Sequence, residues 1–310
     1  MSTSDPAIPV PSDPVPPDLP GPDRPLGPEG LGLRMGPAVP EREGPGVWRA
    51  LFAPAGLDGP PGVLQGGLAT AVAVDLARDL DHLGAPLHAV SARLAAPTLL
   101  GVPFAARVVP GASAGWYEVE TWQQGRRLAT ATVELTGADT LGALADLVAL
   151  ADGPPPGPAS DLLFPDCFVC GLDNPHELAL RTPPAFRAAG QLSVPWIPDE
   201  RLADPSRGDR IAPLIVSAAL DCPAAWAILP HAVAQGYGAA VLGSMRMRIA
   251  HDVEPLDPVR VTAVMDGAEG RKLRSRSAVI DSDGRPLAVF AAVNIAVDVL
   301  PSGPVRSAAR

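Results

Sequence analysis

The sequence predicts an α+β protein of two fused domains, each a long central helix wrapped by an antiparallel sheet. Three observations point there. A length of 310 residues suffices for two ordinary cores. A proline and glycine cluster, Gly153-Pro154-Pro155-Pro156-Gly157-Pro158, divides the chain near its middle. On each side of it the same order of periodic segments recurs: one strand, one apolar helix, four strands.

Taken in order, residues 1–45 hold 13 of the 39 prolines and few large apolar side chains, a composition that reads as a disordered Pro-rich tail outside the fold. Residues 46–137 make the first domain. A short strand-like run at 47–52 leads through a Gly-rich turn to a helix over 66–83, where Val72, Leu76, Leu80 and Leu83 recur at three- and four-residue spacing. The small residues Ala69, Ala71 and Ala73 let a sheet approach that helix closely. Strands follow at 88–95, 103–109, 116–122 and 127–135. The last alternates Ala129, Ala131, Val133 and Leu135 with Thr130, Thr132 and Glu134, the period of a sheet with one buried face.

Residues 138–162 combine a short apolar helix around 141–150 with the Pro-rich linker. The second domain spans 163–299, and 300–310 is a tail. It has a strand at 190–196, a charged loop, a helix over 213–229, and strands at 241–249, 259–265, 273–280 and 287–297. Asp281-Ser282-Asp283-Gly284 joins the last two, because Asp and Gly supply the positive φ that a tight hairpin needs.

Composition narrows the function. A formal net charge of −10 and only 13 aromatic residues argue against nucleic acid, whose binding needs Lys and Arg on phosphates and rings under bases. No run of about 18 uncharged apolar residues suggests a membrane span, and no basic stretch with an apolar run after it opens the chain, so a cytoplasmic protein is expected. Three cysteines do not make a disulfide framework.

Several motifs carry a resemblance. Gln65-Gly66-Gly67 at the mouth of the first helix resembles the His-Gly-Gly that opens the helix in 4-hydroxybenzoyl-CoA thioesterases, and the Gly-Gly of the acyl-CoA thioesterase II type. His88-Ala89-Val90-Ser91-Ala92-Arg93-Leu94 with Pro97, and Gly125-Arg126-Arg127-Leu128-Ala129, resemble later strands and turns of the same superfamily. In the second half the likeness returns at Leu220-Asp221-Cys222-Pro223, at Gly270-Arg271-Lys272-Leu273 and at Asp283-Gly284-Arg285. The chain thus resembles the hotdog superfamily of acyl-CoA thioesterases and dehydratases, in its double-hotdog arrangement. That implies an acyl-CoA or other acyl thioester as partner, no cofactor, and a monomeric pseudo-dimer or a homo-oligomer.

The resemblance also implies where chemistry sits. Family thioesterases of the His-Gly-Gly kind place a carboxylate nine residues after the His, and the site joins the turn of one hotdog to the helix of the other. Asp221 lies nine residues after Ala212, whereas Asp75 lies ten after Gln65, about 100° further round the helix. The expected site is therefore composite. Gly66 and Gly67 amides would hold the carbonyl, Gln65 would orient it, and Asp221 would serve as general base or nucleophile. The pseudo-symmetric site, Asp75 opposite Pro213, would be degenerate, since proline brings no N–H. The thioesterase II glutamine near the end of the last strand finds no clear counterpart around 292–294.

Ser244 is a candidate for positioning water or substrate, beside its plainer reading as a sheet serine. Arg246 and Arg271 with Lys272, joined by Arg248, Arg274 and Arg276, are candidates for binding the phosphates of coenzyme A, beside the reading of a solvated strand face with acidic partners. Cys167-Phe168-Val169-Cys170 with His176 has knuckle-like spacing, and Cys222 would complete a structural zinc site; the reading adopted is reduced, inert thiols with no metal. The function expected is hydrolysis of an acyl thioester. Its alternatives are a non-catalytic acyl-thioester binder and a hotdog hydratase or dehydratase, the latter disfavoured because no His stands near either helix opening.

Overall fold

The computed structural model describes residues 16–81, 86–137, 141–142, 144–154, 156–158, 163–205 and 208–299. The expected end of the first helix at 82–83 and the tail at 300–310 fall outside these residues.

The first half builds β4 (Val47–Phe52), α1 (Gly66–Leu80), β5 (Ala89–Leu94), β6 (Phe104–Pro110), β7 (Trp116–Gln123) and β8 (Arg126–Glu134), preceded by the two-residue strands β1 (Arg24–Pro25), β2 (Arg34–Met35) and β3 (Val39–Pro40). A short helix, α2 (Ala145–Ala149), follows. The second half has β9 (Phe186–Ala188), β10 (Gln191–Trp196), a small ribbon of β11 (Ala203–Asp204) and β12 (Arg210–Ile211), α3 (Pro213–Ala234), β13 (Ala239–Ile249), β14 (Val259–Glu269), β15 (Lys272–Ile280) and β16 (Pro286–Val297).

Among the described residues, 14 of these strands form one antiparallel sheet. The first half contributes the order β4-β6-β7-β8-β5 and the second continues it as β13-β16-β15-β14-β10. Counted outward from the seam, each half therefore repeats one topology. The halves join where β5 pairs with β13, with Val90 opposite Met247 and Ala92 opposite Met245. Each sheet curls around its helix, and α1 buries Leu68, Ala71, Val72 and Leu76, while α3 is buried over most of its length. By length and composition α3 is apolar enough to cross a membrane, yet most of it is covered by the sheet and by α1.

Two boundaries depart from expectation. Residues 24–45 are not a tail: Leu26, Leu31, Leu33 and Met35 join the main core, β2 pairs with β4, and β3 pairs with β4 at Val39 and Trp48. Helix α3 also runs on to Ala234 through Pro223 and Pro230. Proline inside a helix spreads the preceding turn, and the Ser277 hydroxyl donates to the Leu220 carbonyl at 2.8 Å in that turn. Outside the sheet, Leu144 and Leu147 of the α2 region cover Val264, Ala278 and Ile280.

Candidate functional site

The site begins where α1 and α3 touch. A Cβ on Gly67 would lie 2.5 Å from the Ser217 carbonyl and 2.7 Å from the Ala218 Cα, so the helices pass at a distance only glycine permits. One turn further along α3, Asp221 meets the N-terminus of α1. Its Oδ2 accepts hydrogen bonds from the Gln65 Nε2 at 2.7 Å and from the Gly67 backbone N–H at 3.0 Å. Gln65 in turn caps α1, its Oε1 accepting from the Leu68 N–H at 2.9 Å. A Cβ on Gly66 would press within 2.8 Å of the same Asp221 oxygen.

Asp221 is 6% exposed. Burial pushes its carboxyl up to about 7, opposed by the Gly67 hydrogen bond, reinforced by negative charge at Cys167 and opposed again by Gln65. Both hydrogen bonds fall on one oxygen, which leaves Oδ1 for a ligand or water among the described residues. The Gly66 N–H, first of the helix, precedes the intrahelical ladder and sits on the wall of an adjoining cavity. That cavity has a volume of about 330 Å³. Gln65, Gly66, Asp221 and Asn294 form its polar end, and Leu94, Phe164, Trp226, Leu229 and Leu242 line the rest. It fits an apolar chain that ends in a polar, reactive head.

The structure thus brings together Gln65, Gly66, Gly67 and Asp221 across the two halves. It corrects two of their expected parts. The Gly67 N–H and the Gln65 amide are engaged by Asp221, so they hold the carboxylate and do not reach a carbonyl; the Gly66 N–H remains at the helix start. Ser244 does not join them. A bulge at Gly243 between Leu242 and Ser244 turns Ser244 onto the opposite face of the sheet, beside Ser91, Arg93 and Glu118.

Nor do the candidate anion-binding residues line the cavity. Arg246 pairs with Glu134 at 3.1 Å on the outer face, and Arg271 and Lys272 are exposed at the β14–β15 turn. Arg274 pairs with Glu269, and Arg276 with both Asp146 and Asp266. These arginines form the solvated, partnered strand face. His176 leaves the expected cysteine set: its Nδ1 accepts from the Leu178 N–H, and its ring stands edge-on to Phe168 at 5.6 Å.

The pseudo-symmetric position is closed. A Cβ on Gly27 would meet the Leu214 Cδ2 at 2.3 Å and the Asp75 Oδ2 at 3.4 Å, so Leu214 and the N-terminal segment together fill the space beside Asp75. Sequence reasoning passed over Asn294, a buried amide on β16 that donates to the Ser275 Oγ at 3.4 Å and faces the cavity. Its signal was a polar residue inside an otherwise apolar last strand.

No family model matches the sequence, and no curated protein matches it. Solved structures do. Acyl-CoA thioesterase II TesB2 from Mycobacterium marinum superposes with a TM-score of 0.57 at 13% identity, covering 89% of this chain and 97% of that one. A protein of unknown function with a hot dog fold from Alicyclobacillus acidocaldarius gives 0.53 at 14% identity, over 86% and 96%. The fold is a double hotdog. The dehydratase domain of the polyketide PpsC from Mycobacterium tuberculosis shares it at a TM-score of 0.55 and 16% identity, over 86% and 98%. At such identities the shared property is the fold alone, and this double hotdog's chemistry must be argued from its own residues.

Proposed function

We propose that this double hotdog hydrolyses acyl thioesters, with acyl-CoA as the substrate class, at the single composite site between its halves. The observation that carries the reading is Asp221: a carboxylate buried on α3, held by the Gln65 amide and the Gly67 N–H of the other half, at the polar end of an apolar cavity.

The acyl chain lies among Leu94, Phe164, Leu229 and Leu242, with its thioester at the Gly66 end. Asp221 takes a proton from water, whose oxygen attacks the carbonyl carbon. Negative charge develops on the carbonyl oxygen, beside the Gly66 N–H and the positive end of α1. Collapse of that intermediate breaks the carbon–sulfur bond and releases the thiolate and the acid. Asn294, at the same polar end, orients the water or the carbonyl. A dehydratase reading has less support, because among the described residues no histidine lines the cavity.

The test is thiol release from acyl-CoAs of increasing chain length by wild type, Asp221→Asn and Asp75→Asn. Asp221→Asn lowers the rate by about 10²–10⁴-fold, the usual worth of a positioned general base, and Asp75→Asn leaves it near wild type. Loss only with Asp75→Asn moves the site to the other half. A protein that cleaves no acyl-CoA while one of them raises its melting temperature is a binder.

A further inference from the structure

The three cysteines belong to elements far apart in sequence, and the fold gathers them at one point. Cys167 and Cys170 sit on a tight loop ahead of β9, and Cys222 follows Asp221 on α3. The Cys222 Sγ lies 3.5 Å from the Cys167 Sγ and 3.6 Å from the Cys170 Sγ, and all three sulfurs fall within 4.8 Å of one another. A tetrahedral ion with metal–sulfur bonds of about 2.3 Å requires sulfurs about 3.8 Å apart. The triangle is already close to one face of that tetrahedron.

A hydrogen-bond donor also points at the cluster. The Trp226 indole N–H donates to the Cys170 Sγ at 3.3 Å. Such a donor stabilises the negative charge of a ligating sulfur. The loop is built for this geometry. A Cβ on Gly171 would lie 2.2 Å from the Pro165 carbonyl and 2.5 Å from the Cys167 nitrogen, so glycine is required directly after the second cysteine. Asn174, buried, ties the loop down by donating to the carbonyls of Asp166 and Gly56.

We infer that Cys167, Cys170 and Cys222 bind one zinc ion as a three-thiolate site, which pins the cysteine loop to α3 beside Asp221. Binding leaves all three sulfurs as thiolates and releases whatever thiol protons they carried before Zn²⁺ was taken up. His176 faces elsewhere, and among the described residues no other His, Asp or Glu completes the cluster. All three cysteines line the cavity, so the fourth position opens onto it, for water or an incoming thiol. This site is independent of the proposed hydrolysis, because metal content is read without substrate.

The experiment uses the full chain, stripped with a chelator, reconstituted with zinc or cobalt and desalted. Wild type retains about one ion per chain, shows thiolate-to-cobalt charge-transfer absorption, and has three thiols that react with a disulfide reagent only after chelation. Cys170→Ser and Cys222→Ser each lower retained zinc at least about tenfold. Trp226→Phe keeps the stoichiometry and weakens affinity about tenfold, as loss of a donor to a ligating atom does. Wild type that retains no zinc overturns the inference, as do thiols that react equally fast with and without chelator. A disulfide between any two of the three in freshly purified protein also overturns it. All three readings are made on wild type, so an insoluble variant does not shelter the idea.

Discussion

Gly67 does two things: it lets α3 pass against α1 at a distance only glycine permits, and its backbone N–H holds Asp221. In Gly67→Ala the added carbon lands 2.5 Å from a backbone carbonyl, which has no rotamer with which to yield. The helices must part, at a cost of about 1–3 kcal/mol, seen as a lower urea midpoint. Asp221 then loses its backbone donor, so the proposed hydrolysis falls along with stability. Gln65→Ala separates the two effects. It removes the cap of α1, worth about 1 kcal/mol, and the side-chain donor to Asp221, while leaving the helix contact intact. A variant with wild-type stability and wild-type rate would deny Gln65 both roles. The nine-residue spacing was enough to select Asp221 over Asp75 in the sequence. The partition of donors was not, because it depends on which amide the carboxylate reaches first.

At the scale of elements, the lesson comes from residues 24–45. Their composition hides four buried apolar residues among prolines and glycines, and strands of two residues carry no readable period; the edge of β4 supplies the pairing. A weak repeat was there to see. Pro175 follows Pro28 by 147 residues, with Leu31 matching Leu178 and Leu33 matching Leu180, and Ala212 follows Gln65 by the same 147. The N-terminal segment is thus the first half's copy of the cysteine loop, with Pro20, Asp23 and Asp75 where the second half has its cysteines. It now serves as a plug. Ser244 was misplaced for a related reason, since a one-residue bulge reverses every later side chain and leaves no mark in the pattern. Leu31→Ala, at a site with no exposure, should cost about 2–5 kcal/mol in chemical denaturation; a true tail would cost nothing. Glu41 gives a pH readout of the same segment. Its two oxygens accept from Arg107 of β6 at 2.9 Å, and that pairing holds its carboxyl below the usual carboxylate range. A lowered folded pKa stabilises above the unfolded value, and the gain disappears as pH falls through the folded one. The stability gap between wild type and Glu41→Gln should therefore be constant near neutrality and close on acidification. A gap that persists in acid would show that packing, not charge, ties the segment down.

At the scale of the molecule, catalysis as proposed requires that neither half work alone, since the first brings Gln65 and the α1 amides and the second brings Asp221 and Asn294. Two of the contacts that hold that arrangement are the α1–α3 crossing and the β5–β13 seam that makes one sheet out of two. The seam is testable apart from the site. Val90 and Met247 face each other across it with no exposure on either side. Val90→Asp buries an unpaired carboxylate there, at a cost of about 3 kcal/mol or more once the charge is hydrated or neutralised. Ser91→Asp, one residue on and facing Arg246 across the same strands, should stay within about 0.5 kcal/mol of wild type. If the seam makes the halves one cooperative unit, near- and far-ultraviolet dichroism in Val90→Asp will fall in a single coincident transition at lower temperature. Thiol release will fall with it, although Val90 touches none of the site residues. Two separated transitions, one near the wild-type temperature, would instead make the halves independent domains whose docking is optional, and hydrolysis should then fail before either of them unfolds.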